Sequence, residues 1–222
     1  MAAPNTSEFP HQLTLYSYWR SSSAWRVRTA LAFKGLPYTY VPVPLLEAAQ
    51  RSDAHLAKNA MGQIPVLMVD QEPLTQSLAI LAWLEHAMPT PALLPAESLP
   101  RARSIALAEI VNAGIQPLQN LAVLLDIEAL SDRATRMQWG RQRIEEGLLA
   151  FEREVQRTAE TFCVGDAPSW ADILLIPQLY NARRFSCDLE AMPTLLRIEA
   201  ACETLPAFVM SHPNQQPDAQ VT

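Results

Sequence analysis

The sequence predicts an α/β domain followed by an all-helical one, and three observations carry that expectation. Strand and helix patterns alternate over residues 13–88, four prolines crowd 89–100, and only helical periods remain from 101 onward. With 222 residues, 49% of them hydrophobic, the chain can bury enough apolar surface to offset the entropy of ordering. Apolar runs such as Leu78–Leu84 are core-sized and too short for a bilayer, and the N-terminus carries neither a basic nor an apolar leader segment. The expectation is a soluble, cytoplasmic protein without a membrane partner. A formal charge of −6 argues against the basic footprint of a nucleic-acid binder. Cys163, Cys187 and Cys202 are widely spaced, and His11, His55, His86 and His212 make no ligand motif, so neither a disulfide framework nor a metal site is expected. All but Lys34 and Lys58 of the 17 basic residues are arginines. Arginine's planar fork suits anionic small molecules. A GC-rich genome alone would explain the excess, so composition by itself gives no single arginine a role.

Residues 1–12 read as a flexible polar tail. Leu13–Tyr18 alternates apolar and polar as a strand does. Ser21, Ser22 and Ser23 follow as helix caps, and Val27, Ala30 and Leu31 recur at helical spacing until Gly35 and Pro37 stop the helix. Tyr38–Val43 is a second strand whose Pro42 places it at an edge. A polar, mobile stretch with a short helix spans 47–59. Val66–Val69 and Pro73–Thr75 make a hairpin, and Ser77 caps a helix from Leu78 to His86. This β-α-β, β-β-α order is thioredoxin-like. Residues 89–100 form a proline-rich linker, since four prolines in twelve positions cannot sit inside a helix. Helices then run over 101–129, 133–158, 169–183 and 194–204 of a helical domain spanning 101–222. Ser169 and Asp172 have capping-box spacing ahead of an apolar run.

The chemistry centres on what the first helix lacks. Redox thioredoxin-like domains carry C-x-x-C where this chain has Ser21-Ser22-Ser23-Ala24, so it cannot exchange disulfides itself. A hydroxyl at a helix N-terminus can instead donate to a bound thiolate, or it can simply cap the helix. No histidine lies in a serine-hydrolase context. Gln63-Ile64-Pro65 precedes the third strand, where a cis bond would turn the Ile64 backbone outward to pair with a peptide. Gln76 and Ser77, at the next helix start, could hold a carboxylate. A tripeptide with one thiol and free carboxylates, glutathione, satisfies all three places.

The runs Tyr18–Leu31, Gln76–Ile80, Gly114–Asn120, Asn181–Phe185 and Ser211–Asp218 carry a specific resemblance. From Leu13 to Asp218 the chain resembles the zeta-class glutathione transferases, which include the maleylacetoacetate and maleylpyruvate isomerases. The resemblance implies the cytosolic glutathione transferase fold and a homodimer. It assigns Ser21 to the glutathione thiolate with help from Ser22 or Ser23, and Gln50, Gln63, Ile64, Gln76 and Ser77 to the peptide. Gln116 and Asn120, one helical turn apart beside the kink expected at Pro117, would also contact glutathione or else satisfy freed backbone groups. Arg184 would clamp a substrate carboxylate, and Arg20 would favour anionic substrates beside the thiolate. The implied reaction is cis–trans isomerisation of a maleyl-type dioxo-dicarboxylate, with glutathione as cofactor adding to the activated double bond and leaving after rotation. Two positions depart from the family pattern. Ser23 replaces the usual cysteine, and Ala60 replaces a proline after Asn59, which should loosen that loop. A general glutathione transferase or dehalogenase, and a non-catalytic glutathione transferase-like module, are the alternatives.

Overall fold

The computed structural model describes residues 9–220 and divides into two compact units. One joins the chain up to Ala92 with the segment from Thr204 onward; the other runs Leu93–Glu203.

The first unit is built on a four-stranded sheet in the order β2-β1-β3-β4. β1 (Leu13–Ser17) pairs in parallel with β2 (Thr39–Pro42) and antiparallel with β3 (Val66–Val69), which pairs antiparallel with β4 (Glu72–Thr75). Leu13, Leu15 and Ser17 alternate into the core, as the period-2 pattern requires. β2 is the edge strand that Pro42 called for. α1 (Ser22–Phe33) buries Ala24, Val27, Ala30 and Leu31 and packs on α3 (Ser77–Ala87). Between β2 and β3 the chain makes two 3₁₀ turns and one four-residue helix, α2 (Asp53–Leu56).

Of the tail expected over 1–12, residues 1–8 lie outside the described residues, and two of the remaining four are bonded to the sheet unit. His11 Nδ1 lies 2.7 Å from Asp70 Oδ2, and the Gln12 N–H donates to Asp70 Oδ1 at 2.9 Å. The β3–β4 turn thus holds His11 and Gln12. Loosening at Ala60 is also not visible as lost bonding: Asn59 Nδ2 donates to the Gln63 carbonyl at 2.8 Å, and Asn59 Oδ1 accepts from the Met61 N–H.

The second unit is helical: α4 (Ser98–Glu109), α5 (Leu121–Leu130), α6 (Arg133–Val155), α7 (Trp170–Arg184) and α8 (Pro193–Cys202). Pro100 falls in the first turn of α4, where its missing N–H matters little, so the linker ends earlier than expected. The helix expected over 101–129 is broken instead of merely kinked. A π-helical turn (Ile110–Ile115) and a 3₁₀ turn (Gln116–Gln119) separate α4 from α5. Pro117 is the cause, because it can neither donate to Ala113 nor clear its carbonyl. The Ser169/Asp172 expectation holds: Asp172 accepts from the Ser169 N–H (2.8 Å), the Ser169 hydroxyl (2.9 Å) and the Cys163 N–H (2.9 Å). Burial nevertheless pushes the Asp172 carboxyl upward.

The C-terminal segment departs most from the expected boundaries. A short α9 (Pro206–Ser211), not expected from the sequence, packs on α1 within the first unit. Trp25 Nε1 donates to Ser211 Oγ at 3.1 Å, and the buried Arg28 donates to the Ser211 carbonyl at 3.2 Å. Residues after 203 therefore complete the α/β unit.

Candidate active site

Strand register gathers the candidate residues of the first unit. Tyr16 pairs with Val66, and Val66 pairs with Thr75, so β1 ends, β3 begins and β4 ends at one edge of the sheet. Ser21, Ile64-Pro65 and Gln76-Ser77 lie just beyond those three strand ends.

Ser21 is the N-cap of α1, in extended backbone (φ −69°, ψ 116°), and its Oγ accepts from the Ala24 N–H at 3.2 Å. The hydroxyl proton is not used by that contact, so one side chain can cap the helix and donate to an anion. Ser22 and Ser23 are the first two helical residues, half-buried, and their N–H groups have no acceptor within the helix. Those N–H groups and the positive end of the helix dipole both favour a negative charge at this spot.

The loop before Ser21 is held from beneath. Arg28, fully buried, donates to the Trp19 carbonyl at 2.9 Å, the Tyr18 carbonyl at 3.3 Å and Ser17 Oγ at 3.1 Å. Burial pulls its guanidinium down to about 10, still charged at neutral pH. Arg20 lies over the Trp19 ring, 4.6 Å from its centroid, and its buried Nε has no partner among the described residues. A cavity of about 500 Å³ at the opposite end of α1, lined by Leu36, Tyr38 and Met210, holds no candidate residue.

On the peptide side, the Ile64–Pro65 bond is cis, as expected. The Gln63 carbonyl is fixed by Asn59 and lies 2.9 Å from His55 Nε2. Gln50 sits in the second 3₁₀ turn; the neighbouring Arg51 donates to the Met61 carbonyl at 3.2 Å. The buried Gln50 Oε1 has no hydrogen-bond partner among the described residues, which fits a role in holding a peptide donor. Ser77 is not the cap expected of it. Gln76 takes that position at φ +68°, and Ser77 opens α3 with its buried Oγ accepting from Arg26 at 3.2 Å. The Ser77 O–H remains a donor toward a carboxylate.

The second unit holds Gln116, Asn120 and Arg184. Gln116 and Asn120 do not share one helical face, because the 3₁₀ turn ends between them. Asn120 caps α5, its Oδ1 accepting from the Ala122 N–H at 3.1 Å, while Gln116 remains half-buried in the turn. Arg183 donates both Nη atoms to the Glu199 carboxylate at 2.6 and 2.5 Å, a structural pair. Arg184, at the exposed C-terminal end of α7, donates to Asn181 Oδ1 at 2.9 Å. Sequence reasoning passed over Asn181 and Gln119, although both lie in the runs that carry the resemblance.

The chain's own thiols are poor nucleophiles. Burial pushes Cys163 well above the ordinary thiol range, lifts Cys187 to about 11, and raises Cys202 as well.

Residues 11–86 match the family model of the glutathione S-transferase N-terminal domain. Over almost its whole length the chain is similar to curated maleylacetoacetate isomerases. It is 44% identical to that of Rattus norvegicus (92% of this chain, 94% of the relative) and 41% identical to a probable one of Drosophila melanogaster (97% and 94%). Its structure is similar to the maleylacetoacetate isomerase of Anaeromyxobacter dehalogenans with GSH bound in the active site: TM-score 0.88, 51% identity, 95% of this chain and 99% of that one. It is similar also to a bacterial zeta-class maleylpyruvate isomerase: TM-score 0.90, 39% identity, 93% of this chain and 100% of that one. A serine-capped helix where the redox members keep cysteines, with relatives this similar along both units, shows that the chain belongs to the maleylacetoacetate isomerase family, the zeta class of glutathione S-transferases.

Proposed function

We propose that this protein is a glutathione-dependent cis–trans isomerase of maleyl-type dioxo-dicarboxylates, acting on maleylacetoacetate or maleylpyruvate as a cytoplasmic homodimer. One observation carries the reading: the Ser21 hydroxyl and the Ser22 and Ser23 N–H groups, which have no acceptor within the helix, meet at the start of α1, and no cysteine stands there. Bound glutathione supplies the nucleophilic thiolate that adds to the activated double bond and leaves after rotation.

The chain's residues then have separate tasks. Ser21 donates to the thiolate, with Ser22 and Ser23 adding backbone or hydroxyl donors. A thiol near pKa 8.5 becomes mostly anionic at neutral pH if lowered by roughly two units. Gln50, Gln63, Ile64, Gln76 and Ser77 hold the peptide, and Gln116 and Asn120 support it. Arg20 sets a positive potential at the thiolate, and Arg184 takes a substrate carboxylate by its bidentate fork.

Comparing maleylacetone with a neutral chloro-dinitro aromatic acceptor tests the reading. Arg184→Ala should lower kcat/KM for maleylacetone about tenfold to a hundredfold and spare the neutral acceptor and glutathione affinity. Arg184→Lys should recover only part, because a point charge does not reproduce the fork. Equal losses on both substrates would make Arg184 structural and favour a general transferase.

A further inference from the structure

We infer that Asn181 and Gln119, two buried amides that need not touch substrate, are positioning residues for Arg184; the inference rests on the carboxylate-binding reading of Arg184 above. α7 carries Gln178, Asn181 and Arg184 three residues apart, one turn after another along one side of the helix. Gln119, delivered by the 3₁₀ turn that Pro117 imposes, bridges the first two. Its Nε2 donates to Gln178 Oε1 at 2.7 Å, and its Oε1 accepts from Asn181 Nδ2. Asn181 Oδ1 in turn accepts from Arg184 Nη1 at 2.9 Å.

The direction of this chain follows from its charged end. A guanidinium only donates, so Asn181 must present its oxygen to Arg184 and its NH₂ to Gln119. Gln119 must then present its oxygen to Asn181 and its NH₂ to Gln178. Asn181 and Gln119 thus each have one orientation that matches both neighbours, whereas Gln178 is bound through its oxygen and its buried Nε2 has no partner among the described residues. Gln119 and Asn181 are buried at 6% and 9% exposure, so a flip in either sets donor against donor and acceptor against acceptor in the interior. The exposed Arg184 therefore stands on an interior frame that fixes one of its nitrogens. A long side chain held this way loses less freedom when it binds a carboxylate than one sampling all its rotamers. The frame also links two of the runs behind the family resemblance, Gly114–Asn120 and Asn181–Phe185, by contact.

A double-mutant cycle on the full-length protein, with glutathione saturating and maleylacetone varied, tests this. Asn181→Ala should lower kcat/KM for maleylacetone about tenfold, mainly as a rise in its KM, and by more than for the neutral acceptor. In an Arg184→Ala background the same substitution should change it less than twofold. Gln119→Met, which keeps the volume and removes both amide bonds, should repeat the pattern and carries the cycle if Asn181→Ala fails to fold. Equal losses with and without Arg184 would make the amides structural and overturn the inference. So would full activity of both amide variants while Arg184→Ala is impaired, with the role of Arg184 left standing. An Arg184→Ala protein as active as the parent would overturn the carboxylate reading itself, and the positioning role with it.

Discussion

The Ser21 Oγ accepts from the Ala24 N–H through a lone pair, which leaves its proton free to act elsewhere. The sequence alone presents capping and thiolate binding as rival accounts of this residue; the geometry makes them compatible. They can be separated by substitution. Alanine and glycine both remove the hydroxyl, but glycine is a tolerable N-cap, only a few tenths of a kcal/mol below serine, whereas alanine costs about 1 kcal/mol. Ser21→Ala and Ser21→Gly should therefore raise the pKa of bound glutathione equally, by roughly one unit. They should differ in stability, with the alanine variant lower. Ultraviolet titration of the complex and urea unfolding give the two readings; an unmoved titration would shift the thiolate contact to Ser22, Ser23 or a backbone N–H. Two other polar residues were less legible. Ser77 and Asn120 are both good capping types, yet only Asn120 caps. Capping depends on the φ/ψ of one residue, and the positive φ of Gln76, which moves that position one residue back, has no sequence signature in a glutamine.

At the level of elements, the π and 3₁₀ turns around Pro117 are seated by α6. Gly147 on α6 faces Ile115: a Cβ placed there would lie 2.2 Å from Ile115 Cγ1. Two turns earlier, Gly140 admits the Phe185 ring, which a Cβ would meet at 2.4 Å. The two glycines thus bring close to α6 the residues next to Gln116 and Arg184. The pattern of α6 reads as an amphipathic helix but offers no reason for glycine within it, because the reason lies on other segments. Helix propensity alone favours alanine over glycine by about 1 kcal/mol, while overpacking a tight contact costs about 1–3 kcal/mol. Gly147→Ala should therefore be destabilising on balance. Gly114, in the π turn, has nothing within 4 Å of where a methyl group would sit, so Gly114→Ala should be neutral or stabilising. Opposite shifts in urea midpoint would support this account. A stabilised Gly147→Ala would mean that Ile115 has room to move.

For the whole molecule, the order of strands and helices was legible because periodicity is local, and the breadth of the resemblance extended it to both units. What could not be read was that the chain returns: residues after 203 join the α/β unit, and their contacts are separated by up to 199 positions in sequence. Asp218 shows what that return does. Its Oδ2 accepts from the Trp19 N–H at 3.1 Å and its Oδ1 from the Tyr40 hydroxyl at 2.6 Å. The peptide before Ser21 is therefore held on both of its polarities, carbonyls by Arg28 and an N–H by Asp218. A charge-assisted bond of this kind contributes about 1.5–3 kcal/mol. Asp218→Ala should cost about 2 kcal/mol or more in unfolding free energy and weaken glutathione binding, because the loop carrying Arg20 and Ser21 loses its outer tether. Asp218→Asn keeps an acceptor and should lose less. Calorimetric unfolding and glutathione titration on the two variants check both consequences. If Asp218→Ala lowers stability and leaves glutathione affinity intact, the C-terminal segment braces the unit without setting the loop.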